Sequence, residues 1–337
     1  MYQYPITLDA YISGAAGVVG DKEKKGPLGE CFDLHDESDR FGADTWEGAE
    51  SEMQRLALNL ALGKSRWRAE EVDALFAGDL LNQCVGSAYG LLSFDVPYFG
   101  IYGACSTSAE GLLLSSMAVS GGGMRRALAV TSSHYCSAER QFRTPVEYGG
   151  QRAPTAQWTV TGAGAFALES GIGKKDACGV RITRGMAGKV VDAGIRDVSN
   201  MGAAMAPAAS DTLMRFFAAS RTRPRDFDLI VTGDLGFEGG AILCELMATE
   251  GIGLDDRYTD CGMLIYDRNG QDVHSGGSGC GCSAVVLASH FLPLLEKGVL
   301  RRMLFLATGA LMSADSVKQG KSIPAVAHLI ELETKGG

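Results

Sequence analysis

The chain has 337 residues, 46% hydrophobic and 21% charged, enough for one large or two fused domains with a substantial core. A formal net charge of −9 argues against nucleic acid as a partner, no run of about 18 apolar residues reaches membrane-spanning length, and the first residues lack the basic start and apolar stretch of a secretion signal. Nine cysteines without a C-x-x-C pair fit reduced intracellular thiols, and neither a disulfide framework nor a zinc ribbon.

Ile6 to Gly20 reads as a strand running into glycines. Asp21 to Thr45 is polar and charged, the pattern of a surface excursion. From Trp46 to Leu62 apolar residues recur at helical spacing (Met53, Leu56, Ala57, Leu60, Ala61), with Gly63 as the expected stop. Val72 to Ala77 is a short strand ending in Gly78-Asp79. Val96 to Tyr102 is apolar and aromatic, the expectation for a buried strand, and Gly103 interrupts it. Cys105 follows, then Ser106, Thr107 and Ser108 as N-cap candidates, before Leu112, Leu113, Met117 and Ala118 at helical spacing. The thiol therefore stands where a strand hands over to a helix, and unpaired N–H groups there favour a thiolate or a ligand carboxylate. That helix end supplies only about 0.3–1 kcal/mol, so a working nucleophile needs a base as well. Met124 to Thr131 is another strand, running into Ser132, Ser133 and His134. Tyr135 to Trp158 looks irregular and carries Arg140, Arg143 and Arg152. Thr161 to Glu169 is a strand, and charged Gly171 to Asp176 is the expected junction between halves at 1–172 and 173–337.

Past that junction the pattern repeats. Asp73-Ala-Leu-Phe-Ala-Gly78-Asp79-Leu80 matches Asp228-Leu-Ile-Val-Thr-Gly233-Asp234-Leu235 at an offset of 155. Cys105 to Ala109 matches Cys280 to Ala284 at 175, and Arg125 to Val130 matches Arg301 to Leu306 at 176. Three ordered matches, each at a strand end, indicate a duplicated α/β half. Corresponding strand ends then converge on one shared cleft.

A duplicated α/β chain with a cysteine opening the helix of its first half resembles the thiolase-like superfamily, whose members form five-layered αβαβα dimers. AGDLLNQ (Ala77 to Gln83), YGACSTSAEGL (Tyr102 to Leu112), QWTVTGAGAFAL (Gln157 to Leu168) and HSGGSGCGCSAVVL (His274 to Leu287) are, more specifically, similar to the stage V sporulation protein AD family of endospore formers. That resemblance implies a non-catalytic thiolase homologue that binds pyridine-2,6-dicarboxylic (dipicolinic) acid, free or as its calcium chelate, for uptake into the developing spore. It further implies a homodimer, peripheral to the forespore or spore inner membrane through the membrane subunits of the SpoVA channel complex. No cofactor is expected beyond calcium accompanying the ligand.

The residues bear on that implication. Condensing enzymes of the superfamily pair the cysteine with two histidines or a histidine and an asparagine. Where the histidine would follow the strand Leu229 to Thr232, this chain has Gly233, Asp234, Leu235 and Gly236, and the second partner's place holds Cys280 and Cys282. A carboxylate near Cys105 opposes thiolate formation. Of the five histidines only His134 and His274 lie near the repeat-defined strand ends. The alternative is an acyl-transferring or condensing enzyme using Cys105 on acyl-CoA or carrier-protein thioesters; a third reading is a purely structural subunit. For a small aromatic dicarboxylate the candidate contacts are the helix-start N–H groups of Cys105, Ser106 and Thr107 and of Cys280 to Cys282, with Ser278 and His134 beside them. Arg143 or Arg152 would add a bidentate contact, unless they are solvated loop charges, and Asn82 and Gln83 would donate from their amides. Asp79 and Asp234 would repel a dianion unless calcium bridges them or they are protonated; otherwise they form turns. His274, Cys280 and Cys282 lack a fourth ligand, so no metal site is expected, and Gly276 to Gly281 lacks the lysine of a P-loop.

Overall fold

Along β5 (Arg126–Ser133) and β12 (Arg302–Ala310) every residue after the first is buried, so these strands are covered on both faces. Alternation then assigns the faces. Ala127 and Ala129 of β5 and Met303, Phe305 and Ala307 of β12 turn to one shared core. Leu128 and Val130 face a second core, and Leu304 and Leu306 a third. Three cores separated by two half-sheets require helices on the outside and in the middle.

This computed structural model describes residues 4–142, 152–173 and 179–334. The other strands are β1 (Ile6–Gly20), β2 (Leu34–Asp36), β3 (Ala74–Gly78), β4 (Tyr98–Gly100), β6 (Trp158–Thr159), β7 (Gly162–Ser170), β8 (Val180–Met186), β9 (Leu229–Thr232), β10 (Tyr258–Asp260), β11 (Gly277–Ser278) and β13 (Ala325–Glu333). Among the described residues the main sheet runs β10-β9-β12-β13-β8-β1-β7-β5-β3-β4, with β2 on β1 and a separate β11–β6 ribbon. Outward from the central β1–β8 pair the order is the same on both sides, β1-β7-β5-β3-β4 and β8-β13-β12-β9-β10. The directions match too: antiparallel for the two inner pairings, parallel for the two outer ones.

Helices complete the layers. Trp46–Ser65 covers the outer face of the first half, and Met201–Ser220 with Gly236–Thr249 that of the second. Thr107–Ser120 and the helix starting at Cys280–Val286 lie in the middle, the former packed on strands of both halves. The arrangement is a five-layered αβαβα fold. The outer helices Trp46–Ser65 and Met201–Ser220 are themselves offset by 155 at both ends, each closed by a left-handed arginine, Arg66 (φ 58°) or Arg221 (φ 56°). Gly63 therefore does not end its helix as its composition suggests; Arg66 does. Asp73 accepts the backbone N–H groups of Arg125 and Arg126 (2.7 and 3.0 Å), and Asp228 those of Arg301 and Arg302 (2.7 and 2.9 Å). Ser108 and Ser283, related by the 175 offset, meet hydroxyl to hydroxyl at 2.6 Å between the central helices.

Three local expectations change. The Val96–Tyr102 segment yields a three-residue strand at the sheet edge, with Tyr98 and Phe99 exposed, because among the described residues β3 is its one neighbour strand and no layer covers it. The stretch expected to be irregular contains the helix Tyr135–Phe142 and strand β6. The polar excursion carries a fully buried Glu23 that accepts hydrogen bonds from Tyr266 and the Thr161 amide. No helix among the described residues is long and apolar enough to cross a membrane.

Candidate functional site

The chain leaves β4, turns at Gly103-Ala104 and presents Cys105 before the central helix. Ala104 holds φ 51°, a left-handed conformation costing about 1–2 kcal/mol for a residue with a Cβ. Close packing fixes the turn: a Cβ on Gly309 would lie 2.1 Å from the Gly103 carbonyl oxygen and 2.9 Å from the Ser106 nitrogen.

Cys105 is 7% exposed and lines an apolar pocket with Leu80, Tyr102, Ala104, Ala138, Phe142, Val198, Met201, Ala310 and Met312. Glu139, Thr159 and Ser278 supply its polar wall, and the β6–β11 register sets Ser278 directly opposite Thr159. Its volume is about 50 Å³, room for a few waters. Tyr102, Phe142 and Met312 also line an adjoining outer chamber of about 420 Å³, whose polar wall is Asn82, Gln83, Gln141, Ser313 and Asp315. These three side chains divide one cleft into two chambers.

Behind the pocket the Cys105 thiol hydrogen-bonds the Asp234 carboxyl. Asp234 also accepts from the Thr308 hydroxyl (2.8 Å) and the Gly279 amide (3.1 Å). Burial pushes this carboxyl up to about 7, with Asp260 adding repulsion and the hydrogen bonds opposing the rise. The Cys280 thiol donates to the Ser132 carbonyl oxygen at 2.9 Å, and burial holds it well above the ordinary thiol range. On the first-half side, Asp79 accepts from the Leu81 amide (2.9 Å) and from the Ser87 amide and hydroxyl (2.7 and 2.6 Å). Glu50, fully buried, accepts from the Ser132 and Ser137 hydroxyls (2.9 and 2.8 Å). Burial, then Asp79, raises the Glu50 carboxyl to about 8.

The expected ligand set is thus only partly at the cleft. Cys105 and Ser278 line the inner chamber, Asn82 and Gln83 the outer one. Ser106 and Thr107 turn their hydroxyls back to the carbonyls of Gly103 and Ala104 (2.6 Å each), so Ser106 makes no side-chain cap. Their amides are spent on the same two carbonyls. At the second helix the N–H groups of Gly279, Gly281 and Cys282 bond Asp234, Ser133 and the Gly279 carbonyl, leaving less of an anion cradle than expected. Asp79 and Asp234 do not line the cleft, and turn formation explains Asp79. Cys280 contributes to the apolar cluster around Cys105, with its thiol committed to backbone. His134 is also corrected: its Nε2 faces the Asp39 carbonyl oxygen at 2.8 Å and its Nδ1 accepts the Cys136 amide at 3.2 Å, which uses both ring nitrogens. Arg152 pairs with Asp272 away from the cleft, and Arg143 lies outside the described residues.

None of the five histidines lines either chamber. His274 holds the Ala153 carbonyl and the Asp272 carboxylate, His328 accepts the Gly188 amide, His290 packs edge-on against Phe291, and His35 is exposed. Among the described residues no group of three or more His, Cys, Asp or Glu is arranged to hold a metal ion. Sequence reasoning missed Tyr102, Glu139, Phe142, Thr159 and Met312. It also missed Glu50 and Gln54, which a helical plot would place on the same face as Met53, Ala57 and Ala61.

The model of the stage V sporulation protein AD family matches residues 4–333. Stage V sporulation protein AD of Bacillus subtilis (strain 168) is 42% identical over 337 residues, which is all of this chain and 97% of that protein. Similar solved structures include the cerulenin-bound OleA of Xanthomonas campestris, with a TM-score of 0.62 at 16% identity and 97% of each chain covered. Another is the 3-oxoacyl-[acyl-carrier-protein] synthase III of Aquifex aeolicus VF5, with a TM-score of 0.56 at 12% identity, covering 96% of this chain and 99% of that one. These two share the thiolase-like fold. The chain belongs to the stage V sporulation protein AD family.

Proposed function

We propose that this sporulation protein binds dipicolinic acid, without catalysis, in the cleft that Tyr102, Phe142 and Met312 divide. The observation that carries this reading is the chemistry around Cys105: the thiol bonds the Asp234 carboxyl, at the place after β9 where the resemblance puts a condensing enzyme's histidine, and the pocket is apolar with Glu139, Thr159 and Ser278 as its polar wall. Such a wall suits a flat aromatic acid. Among the described residues no lysine or arginine lines either chamber, while Glu139 and Asp315 do. The ligand is therefore expected protonated or as its calcium chelate, since a bare dianion would meet net repulsion. Because the inner chamber is small, binding moves Tyr102, Phe142 or Met312.

The protein would act as the peripheral subunit of the spore's dipicolinate channel, as a homodimer. The edge of β4, unpaired among the described residues, with Tyr98 and Phe99 exposed on it and Tyr89 and Leu92 exposed in the segment before it, supports a second copy as its cover. Calorimetric titration with dipicolinic acid, with and without calcium, tests the reading. Saturable binding weakened by Tyr102→Ala and Cys105→Ala is expected; no heat in either condition would remove it. The strained Ala104 turn favours one rival, acyl transfer on Cys105. Acyl-enzyme formation from acyl-CoA, followed by mass spectrometry, would establish that rival.

A further inference from the structure

Strand alternation puts Thr159 in the cleft wall and leaves Trp158 on the other face of β6. One side of the Trp158 indole is taken: Tyr135 stacks on it with ring centroids 4.0 Å apart and an interplanar angle of 11°. Two cations share the same indole. The Lys22 ammonium is 3.8 Å from the ring centroid, and the Arg152 guanidinium carbon 4.6 Å. Holding two like charges on one ring is costly unless an anion joins them.

The local anion only partly answers this need. Asp272 engages Arg152 through one nitrogen, with Nη2 at 2.6 Å from its carbonyl oxygen and 3.3 Å from its carboxylate, and it holds His274 Nε2 at 2.8 Å. The Asp272 side chain is 75% exposed, whereas that of Arg152 is 16% exposed. The other terminal guanidinium nitrogen, Nη1, is buried and has no hydrogen-bond partner among the described residues. Burial and the Arg152 charge also hold the Lys22 ammonium below its ordinary range, while Asp272 and Glu23 pull the other way. A half-buried ammonium and a buried guanidinium nitrogen without a hydrogen-bond partner among the described residues thus stand beside one ring.

We propose that Lys22, Arg152 and Trp158 form a binding site for a small oxyanion, a carboxylate or phosphate group bridging the Lys22 ammonium and Arg152 Nη1. Arg152 Nη1 would donate to one oxygen of such a group, the ammonium adds a point charge for a second, and the indole beneath excludes water. The site is separate from the Cys105 cleft and does not depend on it.

The test is calorimetry at constant ionic strength with inorganic phosphate and, separately, benzoate as probes. The wild-type chain is expected to bind at least one of them saturably. Lys22→Met and Arg152→Met should each weaken that binding tenfold or more, with unfolding temperatures showing that both variants fold. Asp272→Asn, which removes the competing charge, should tighten it several-fold. Phosphate binding alone would mark the source as phosphate, benzoate binding alone as carboxylate. The proposal is overturned if neither probe saturates, or if both charge-removing variants bind like the parent. It is equally overturned if binding is lost in Tyr102→Ala but kept in Arg152→Met, which would assign the probe to the cleft.

Discussion

Glu50→Gln should stabilise this protein at alkaline pH while leaving it nearly unchanged in acid. Glu50 is fully buried between the hydroxyls of Ser132 and Ser137 with Asp79 nearby, and its carboxyl is raised to about 8 from an ordinary 4.5. A raised carboxyl adds its full share of stability below about pH 4.5, where both states hold the proton. As the pH climbs toward 8 the unfolded chain releases that proton and the folded chain cannot, so stability falls; above 8 the loss levels off. Each pKa unit corresponds to about 1.4 kcal/mol, so the loss is on the order of a few kcal/mol. Glutamine keeps the shape. Its carbonyl accepts from Ser132, and its amide donates to Ser137, whose hydroxyl already has the His134 carbonyl as a second acceptor at 3.2 Å. At pH 8 the variant is expected to exceed the parent by roughly 1–3 kcal/mol, an unfolding temperature several degrees higher. Part of the parent's pH dependence should persist, from Glu23, Asp234 and Asp260, raised to about 7, 7 and 6. Thermal unfolding of both proteins from pH 5 to pH 8.5 reads this directly. Parallel profiles would refute the assignment of Glu50 as a buried proton holder.

Other substitutions probe the site and the duplication. Iodoacetamide at neutral pH should label exposed Cys31 first, with Cys105 slow and Cys261, Cys280 and Cys282 inert, read by peptide mass mapping; selective labelling of Cys105 would count for a nucleophile. Gly281→Ala places a Cβ 2.3 Å from the Gly162 carbonyl oxygen and 2.6 Å from the Ser133 hydroxyl, and should cost about 3 kcal/mol or more in denaturant melts. Gly63→Ala, whose Cβ meets nothing within 4 Å inside a helix, should instead gain about 0.5–1 kcal/mol. Asp73→Ala and Asp228→Ala each remove two bonds to backbone amides and should cost similar amounts, about 1–3 kcal/mol; a large inequality would argue against equivalent halves.

The layered fold was readable because its signals are local and repeated. The span Ile6–Gly20 is the full length of β1, Leu229–Thr232 is β9, and the Asp73/Asp228 match marks a pair that bonds the same backbone groups in each half. The cleft was less readable because its wall comes from side chains that only tertiary contact assembles. Tyr102 follows an exposed edge strand, Phe142 ends a helix in a stretch without clear periodicity, and Met312 follows β12 about two hundred residues further on. The hydroxyl, amide and histidine candidates were chosen by type. Ser106, Thr107 and His134 are such groups whose polar atoms the backbone had already claimed.

The most direct measurement is a crystal structure of the protein soaked with dipicolinic acid and calcium. The account predicts ring-shaped difference density in the cleft, contacting Tyr102 and Phe142 and reaching toward Asn82 or Gln83, with at least one of Tyr102, Phe142 and Met312 displaced. Density bound elsewhere, or a cleft left empty at a concentration that saturates binding in solution, would contradict it.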